Sequence, residues 1–205
     1  MPKLYFRYGA MGAGKSMNVA CVVYTYRQQD KKVLVLKPSM DKRYVEKASK
    51  VVSRTGLEID ADILLEHDTV LNMADFAGVS CVVVDESQFI SEFVVEQLRT
   101  LTSQMPVICY GLRTDFRGRF FEGSRRLMEL ADNIEEIKVT CVFCNRKGTM
   151  NMRLVDGRPV ATGEQVSLGG DEAYRPSCFA CYHERLPIIP HVPLSQEADE
   201  NTVPC

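Results

Sequence analysis

The stretch Gly9-Ala10-Met11-Gly12-Ala13-Gly14-Lys15-Ser16 constrains this chain more than any other. It fits G-x-x-x-x-G-K-[ST] at every fixed position. Glycines let successive backbone N–H groups curl around an anion, and the positive end of a following helix faces the same point. The device works only between a strand and a helix. Both are legible here: residues 3–8 (Lys-Leu-Tyr-Phe-Arg-Tyr) read as a strand, and a helical pattern runs from about Lys15 to Gln29. Gly9, Ala10, Met11, Gly12, Ala13 and Gly14 are therefore expected to wrap phosphates. Lys15 would reach the β- and γ-phosphates, and the Ser16 hydroxyl would ligate Mg²⁺. The motif implies nucleotide binding without separating an ATPase, a GTPase and a kinase.

The remaining elements suit such a loop. Val33-Leu34-Val35-Leu36 is a short apolar run bounded by lysines and Pro38, and Val51-Val52-Ser53-Arg54 reads as another short strand. Cys81-Val82-Val83-Val84-Asp85 has the texture of a strand buried on both faces, as at the centre of a parallel sheet. Residues 90–103 read as a helix, with Phe93, Val94, Gln97, Leu98 and Leu101 near helical spacing. Val107-Ile108-Cys109-Tyr110 is a further strand, and residues 124–132 a short helix. Strands alternating with helices predict an α/β fold with a parallel sheet. After about residue 134 the texture changes, and Asp156-Gly157 between two extended stretches reads as a hairpin turn. The expected division is a nucleotide-binding α/β domain over 1–138, a small β-rich module over 139–186, and a flexible tail over 187–205.

Two acids close the buried strand. Asp85 is placed to hold Mg²⁺, and Glu86 is a candidate general base for an attacking hydroxyl or water. These residues alone leave open which of the two it would activate.

Eight cysteines raise the question of disulfides. Cys21, Cys81 and Cys109 lie in apolar segments and read as small core residues. Cys141-Val142-Phe143-Cys144 and Cys178-Phe179-Ala180-Cys181 have the two-knuckle spacing of a structural zinc site. Four thiolates would close a tetrahedral shell with no open position, which contributes folding energy rather than catalysis. His183 is near enough to stand in for Cys181. No apolar run approaches the roughly 20 residues that span a bilayer. Met1 leads straight into a strand-like segment, leaving no stretch for a signal peptide, so the cytosol is the expected compartment and no membrane partner is expected. With a formal net charge of −2, nothing points electrostatically to nucleic acid.

Taken together, the motifs resemble one family, the type II thymidine kinases (the zinc-containing cellular type), with the bacterial form closest in character. The resemblance runs from residue 3 to about 184. It rests on Gly9–Ser16 with Met11 inside the loop, Asp41-x-Arg43-Tyr44, Asp85-Glu86-Ser87-Gln88-Phe89, the stretch Tyr110–Gly118, and the two cysteine pairs, with Leu168-Gly169-Gly170-x-x-x-Tyr174 before the second. It implies a RecA-like phosphate-loop domain followed by a zinc-binding lid, or lasso. It implies transfer of the ATP γ-phosphate to the 5′-hydroxyl of thymidine, and also of deoxyuridine, in nucleotide salvage. Glu86 would be the base, Arg43 a phosphate contact, and Gln88 part of the ATP site as well as close to the nucleoside. Phe89 would lie near the nucleoside and Phe116 against the thymine ring. Met11 and Leu112 would surround the 5-methyl group, with Asn151, which falls where some relatives have Thr, as a further candidate. Gln165, Val166, Ser167, Leu168 and Gly169 would bond the base edge, and Tyr174 would hold sugar and base. A homotetramer and feedback inhibition by thymidine triphosphate are implied as well.

Two other classes fit parts of the pattern. A nucleic-acid-stimulated ATPase could use the same loop, acids and zinc knuckles, but no basic stripe with interleaved aromatics supports it. The clustered Arg113, Arg117, Arg119, Arg125 and Arg126 could equally serve phosphates or a subunit contact. A non-catalytic nucleotide-gated binding protein would have little use for Glu86 directly after Asp85.

Overall fold

The computed structural model describes residues 1–39, 50–52, 56–165 and 173–186. Its centre is a six-stranded, all-parallel sheet. The strands are β1 (Leu4–Tyr8), β2 (Val33–Pro38), β5 (Ile63–Leu65), β6 (Cys81–Val84), β7 (Val107–Gly111) and β8 (Asn133–Glu136). Their order is β5-β2-β6-β7-β1-β8. The short strands β3 (Lys50–Val52) and β4 (Glu58–Asp60) form a separate antiparallel ribbon.

Alternate residues of the central strands feed two cores. Leu4, Phe6, Leu36, Val82, Val84, Val107 and Cys109 pack on one face, against α2 (Glu92–Leu101) and α3 (Glu122–Leu130) through Val94, Val95, Leu98, Leu101 and Leu127. Val33, Val35, Cys81, Val83, Ile108 and Tyr110 pack on the other, under Val19 and Val23 of α1 (Lys15–Arg27). Helices on both faces explain why β6 is apolar at every position rather than alternating. Each fully buried valine or leucine stabilises by roughly 1.5–3 kcal/mol relative to exposure.

The helices run close to their expected spans, with shifted ends. α1 stops at Arg27 because the chain turns through Asp30 in the left-handed region, φ 54°. α2 starts at Glu92, capped by the Ser91 side chain, which accepts from the Val94 N–H. α3 starts two residues early and ends at Leu130, which frees Asn133–Glu136 to form β8 beside β1. One expectation needs correction. Cys21 is exposed on the outer surface of α1, because the helix meets the sheet through Val19, Val22, Val23 and Tyr26. Phe93 of α2 is exposed, while Val94, Val95, Leu98 and Leu101 are buried.

A second, antiparallel sheet follows, ordered β10-β9-β11. It comprises β9 (Met150–Val155), β10 (Arg158–Val160) and β11 (Tyr174–Ser177), with α4 (Phe179–Arg185) after it. Asp156 and Gly157, at φ 49° and 74°, make the hairpin turn between β9 and β10. Among the described residues, no helix is long and apolar enough to cross a membrane.

Candidate active site and metal centre

The site forms at the carboxyl ends of β1, β6 and β7, where ligands of open α/β sheets bind. Gly9–Ser16 turns out of β1 and enters α1. Gly14 caps that helix in the left-handed region, φ 79°, where a side chain would be strained. Lys15 is buried and folds back over the loop, its Nζ donating to the carbonyls of Gly9 and Ala10 at 3.1 and 3.2 Å. The Ser16 hydroxyl donates to Asp85 Oδ2 at 3.3 Å. The sequence motif and the acid pair therefore meet across the mouth of the sheet. An alcohol beside a buried carboxylate is a hard oxygen donor set, and it fits Mg²⁺ that keeps phosphate oxygens among its ligands.

Glu86 is 6 % exposed and sits in the left-handed region at φ 51°, ψ 36°. A non-glycine residue there costs of order 1–3 kcal/mol and persists only where its surroundings hold it. Gln88 is part of that hold. Its Nε2 donates to Glu86 Oε2 at 2.5 Å while its Oε1 accepts the Leu112 N–H at 2.9 Å. The opposing partners fix which way the buried amide faces. Ser87 Oγ donates to the Tyr110 carbonyl at 2.9 Å. Gly111 has to be glycine, since a Cβ would lie 2.7 Å from Ser87 Oγ and 2.8 Å from Gln88 Oε1.

Beside Glu86 lies a largely apolar pocket. It is lined by Met11, Gln88, Phe89, Leu112, Asp115, Phe116, Phe121, Asn151, Gln165 and Tyr174. Met11, Leu112 and Phe121 form its buried wall, with Phe89 and Tyr174 packed on them. Phe89 and Phe121 meet edge to face, ring centroids 5.5 Å apart. Phe116 is 1 % exposed, and the guanidinium groups of Arg117 and Arg153 lie 5.5 and 5.2 Å from its ring centre. The pocket thus gathers Met11, Phe89, Leu112, Phe116, Gln165 and Tyr174 from widely separated segments. Arg43, Val166, Ser167, Leu168 and Gly169 lie outside the described residues.

Three further residues, of which Asn151 is a candidate from the sequence, hold this region together. Asp115 organises the loop after β7: it accepts from the Arg117 and Arg119 N–H groups, from the Arg117 guanidinium, and from Gln165 Nε2 at 3.2 Å. Asn151 reaches from β9 to Met11 and Thr114. Tyr182 of α4 donates its hydroxyl to the Phe116 carbonyl. The arginine cluster is largely spent on the protein itself, with Arg117 on Asp115, Arg125 on Glu92, Arg126 on Glu96 and Glu129, and Arg113 over the Tyr8 ring.

The second sheet carries the cysteine pairs. The Sγ atoms of Cys141, Cys144, Cys178 and Cys181 all lie within 4.8 Å of one another. Backbone N–H groups of Phe143 and Cys181 point at the sulfurs of Cys141 and Cys178, both at 3.4 Å, as in a metal knuckle. Burial opposes ionisation of Cys141, but N–H donors from Cys178, Phe143 and Cys144 outweigh it and bring its thiol down to about 6. Cys178 is lowered first by the Cys181 N–H. Cys181 is pushed up to about 12, first by burial and then by its sulfur neighbours. Four sulfurs packed this closely can all ionise only around a cation, and four thiolates suit zinc. His183 lies outside the cluster, its ring against Phe179 and Tyr182.

Comparison with known proteins agrees with this geometry. A family model described as "Thymidine kinase" matches residues 2–182. A thymidine kinase of Shewanella oneidensis is 42% identical over 191 residues, covering 90% of this chain and 98% of that protein. Thymidine kinases of Enterococcus faecalis and Lactiplantibacillus plantarum are each 40% identical, over 89% and 87% of this chain and 95% and 94% of theirs.

Proposed function

The chain belongs to the thymidine kinase family, and on that premise we propose how its residues transfer the γ-phosphoryl group of ATP to the 5′-hydroxyl of thymidine. The observation that carries the reading is the position of Glu86. Its carboxylate accepts from Gln88, which lines the aromatic pocket, and it follows Asp85, which accepts from Ser16 of the phosphate loop. A hydroxyl presented from that pocket gives its proton to Glu86 as its oxygen attacks the γ-phosphorus in line, and ADP leaves with the broken bridging oxygen. Lys15 swings from the Gly9 and Ala10 carbonyls onto the phosphates. Ser16 and Asp85 would hold Mg²⁺, which would supply charge neutralisation to the triphosphate. The apolar wall of Met11, Leu112 and Phe121 keeps water from competing with the sugar hydroxyl.

Arg43 at the phosphates and residues 166–169 at the base edge complete the assignment on the family resemblance. Deoxyuridine is accepted too, since a missing methyl group costs only about 1–3 kcal/mol in an apolar pocket. The four cysteines hold structural zinc. The active form is a homotetramer subject to inhibition by thymidine triphosphate, and the enzyme works in the cytosol.

The test is ADP formation from Mg-ATP, with thymidine, deoxycytidine, uridine or single-stranded DNA added in parallel. Thymidine-dependent ADP and a 5′-monophosphate product are expected. Glu86→Gln should keep ATP binding and lose about 10²–10⁴ in kcat. Turnover driven by DNA and silent with thymidine would refute the proposal.

A further inference from the structure

One carboxamide joins three parts of the molecule. Asn151 lies on β9, is 3 % exposed, and pairs with Pro176 across the second sheet, two residues before Cys178. Its Oδ1 accepts the Met11 N–H at 2.8 Å and its Nδ2 donates to the Thr114 carbonyl at 3.0 Å. Met11 belongs to the phosphate loop and to the wall of the nucleoside pocket. Thr114 opens the loop that carries Asp115 and Phe116. A flipped amide would set donor against N–H and oxygen against carbonyl, so the two partners fix the orientation.

We propose that Asn151 is a positioning residue that couples nucleotide binding to nucleoside binding. The inference rests on the kinase reading above and deepens it. Phosphates that order the Gly9–Ser16 loop also fix the Met11 N–H. Through Asn151 they fix the Thr114 carbonyl, and with it the segment bearing Phe116. Each substrate then meets a site already set by the other, and the coupling is reciprocal. A serine, with a single short hydroxyl, cannot span both partners as the planar amide does. An aspartate places an acceptor against the Thr114 carbonyl.

The readout is the ratio of thymidine dissociation constants without and with a non-hydrolysable ATP analogue, measured by calorimetry on the zinc-loaded full chain. Wild type should show tighter thymidine binding with the analogue, by roughly tenfold. In Asn151→Ala the ratio should fall to within about twofold of one, while the analogue still binds. Asn151→Ser and Asn151→Asp provide the same readout if the alanine variant does not fold, with an intermediate ratio expected for serine and a ratio near one for aspartate. A side chain that merely fills space would weaken thymidine binding equally with and without the analogue. A wild-type ratio of one, or a wild-type ratio retained in the variants, would overturn the coupling and leave the kinase reading standing. Failure of wild type to bind thymidine at all would overturn both.

Discussion

Replacing Tyr182 with phenylalanine separates the four-cysteine cluster from the proposed nucleoside pocket by deleting one oxygen. Tyr182 follows Cys181 directly on α4 and is largely buried, and its hydroxyl donates to the Phe116 carbonyl. Burial, and then the charge of Asp115, push the Tyr182 phenol above its ordinary value, so it remains a donor at neutral pH. Phe116 is 1 % exposed, so water cannot readily replace the lost donor. Stranding one partner of a buried hydrogen bond costs about 1–3 kcal/mol. Some of that is returned because Arg117 and Arg153 still hold the Phe116 ring from outside. About 1.4 kcal/mol is then a fair figure, which is tenfold in binding. Steady-state kinetics of Tyr182→Phe should show the thymidine KM up roughly tenfold, with the ATP KM changed less than about twofold. Stripping the metal from wild type should raise the thymidine KM by the same route. In Tyr182→Phe a second chelation effect should be smaller, because two perturbations of one path do not add. An unchanged thymidine KM with a lowered melting temperature would refute the path from metal to pocket. So would equal rises in both KM values.

Three further outcomes are expected. Gly111→Ala drives a Cβ against Ser87 Oγ and Gln88 Oε1; by displacing the amide that holds Glu86 it should lower kcat at least tenfold, read by single-turnover assay. Cys21 should react with a maleimide in the native protein while Cys81 and Cys109 do not, as read by peptide mapping. Cys21 is exposed, whereas burial pushes the Cys81 thiol up to about 11 and raises that of Cys109 further. Asp132 is held below its ordinary value of 3.8, first by Arg99 and then by the Leu4 N–H. Its contribution to stability is therefore full above pH 3.8 and is lost as pH falls through the lowered folded value. Wild type should lose more melting temperature than Asp132→Asn between pH 5 and pH 3.

The parts of this molecule that could be read from its residues are those where one physical demand fills a short segment. The phosphate loop, the apolar run of β6 ending in Asp85 and Glu86, and the cysteine knuckles are of that kind. β8 could not be read that way. An edge strand that pairs on one side tolerates Asn133, Glu135 and Glu136, so no apolar pattern marks it. Cys21 was misread because α1 is apolar nearly all round, from Val19 to Tyr24, and only packing decides which stripe faces the sheet. In the site, Gln88 and Phe89 follow the acid pair directly and were within reach. Asn151 is reached only through the family resemblance and Tyr182 not at all, because they act through bonds spanning 140 and 66 positions, which leave no periodicity or local motif.

The strand order also governs how the chain is made. β1 precedes every other strand of the sheet in the sequence, yet its neighbours are β7 and β8, with Leu4 against Val107 and Tyr5 against Asn133. At about 5–20 residues per second, roughly 100 residues take on the order of 5–20 s to synthesise. For that interval the first apolar strand has no partner, and the phosphate loop that follows it has no frame. Pairings this distant in sequence form slowly and late. ATP can therefore stabilise the loop only after β6 and β7 have been made, and until then the first apolar strand is exposed to aggregation.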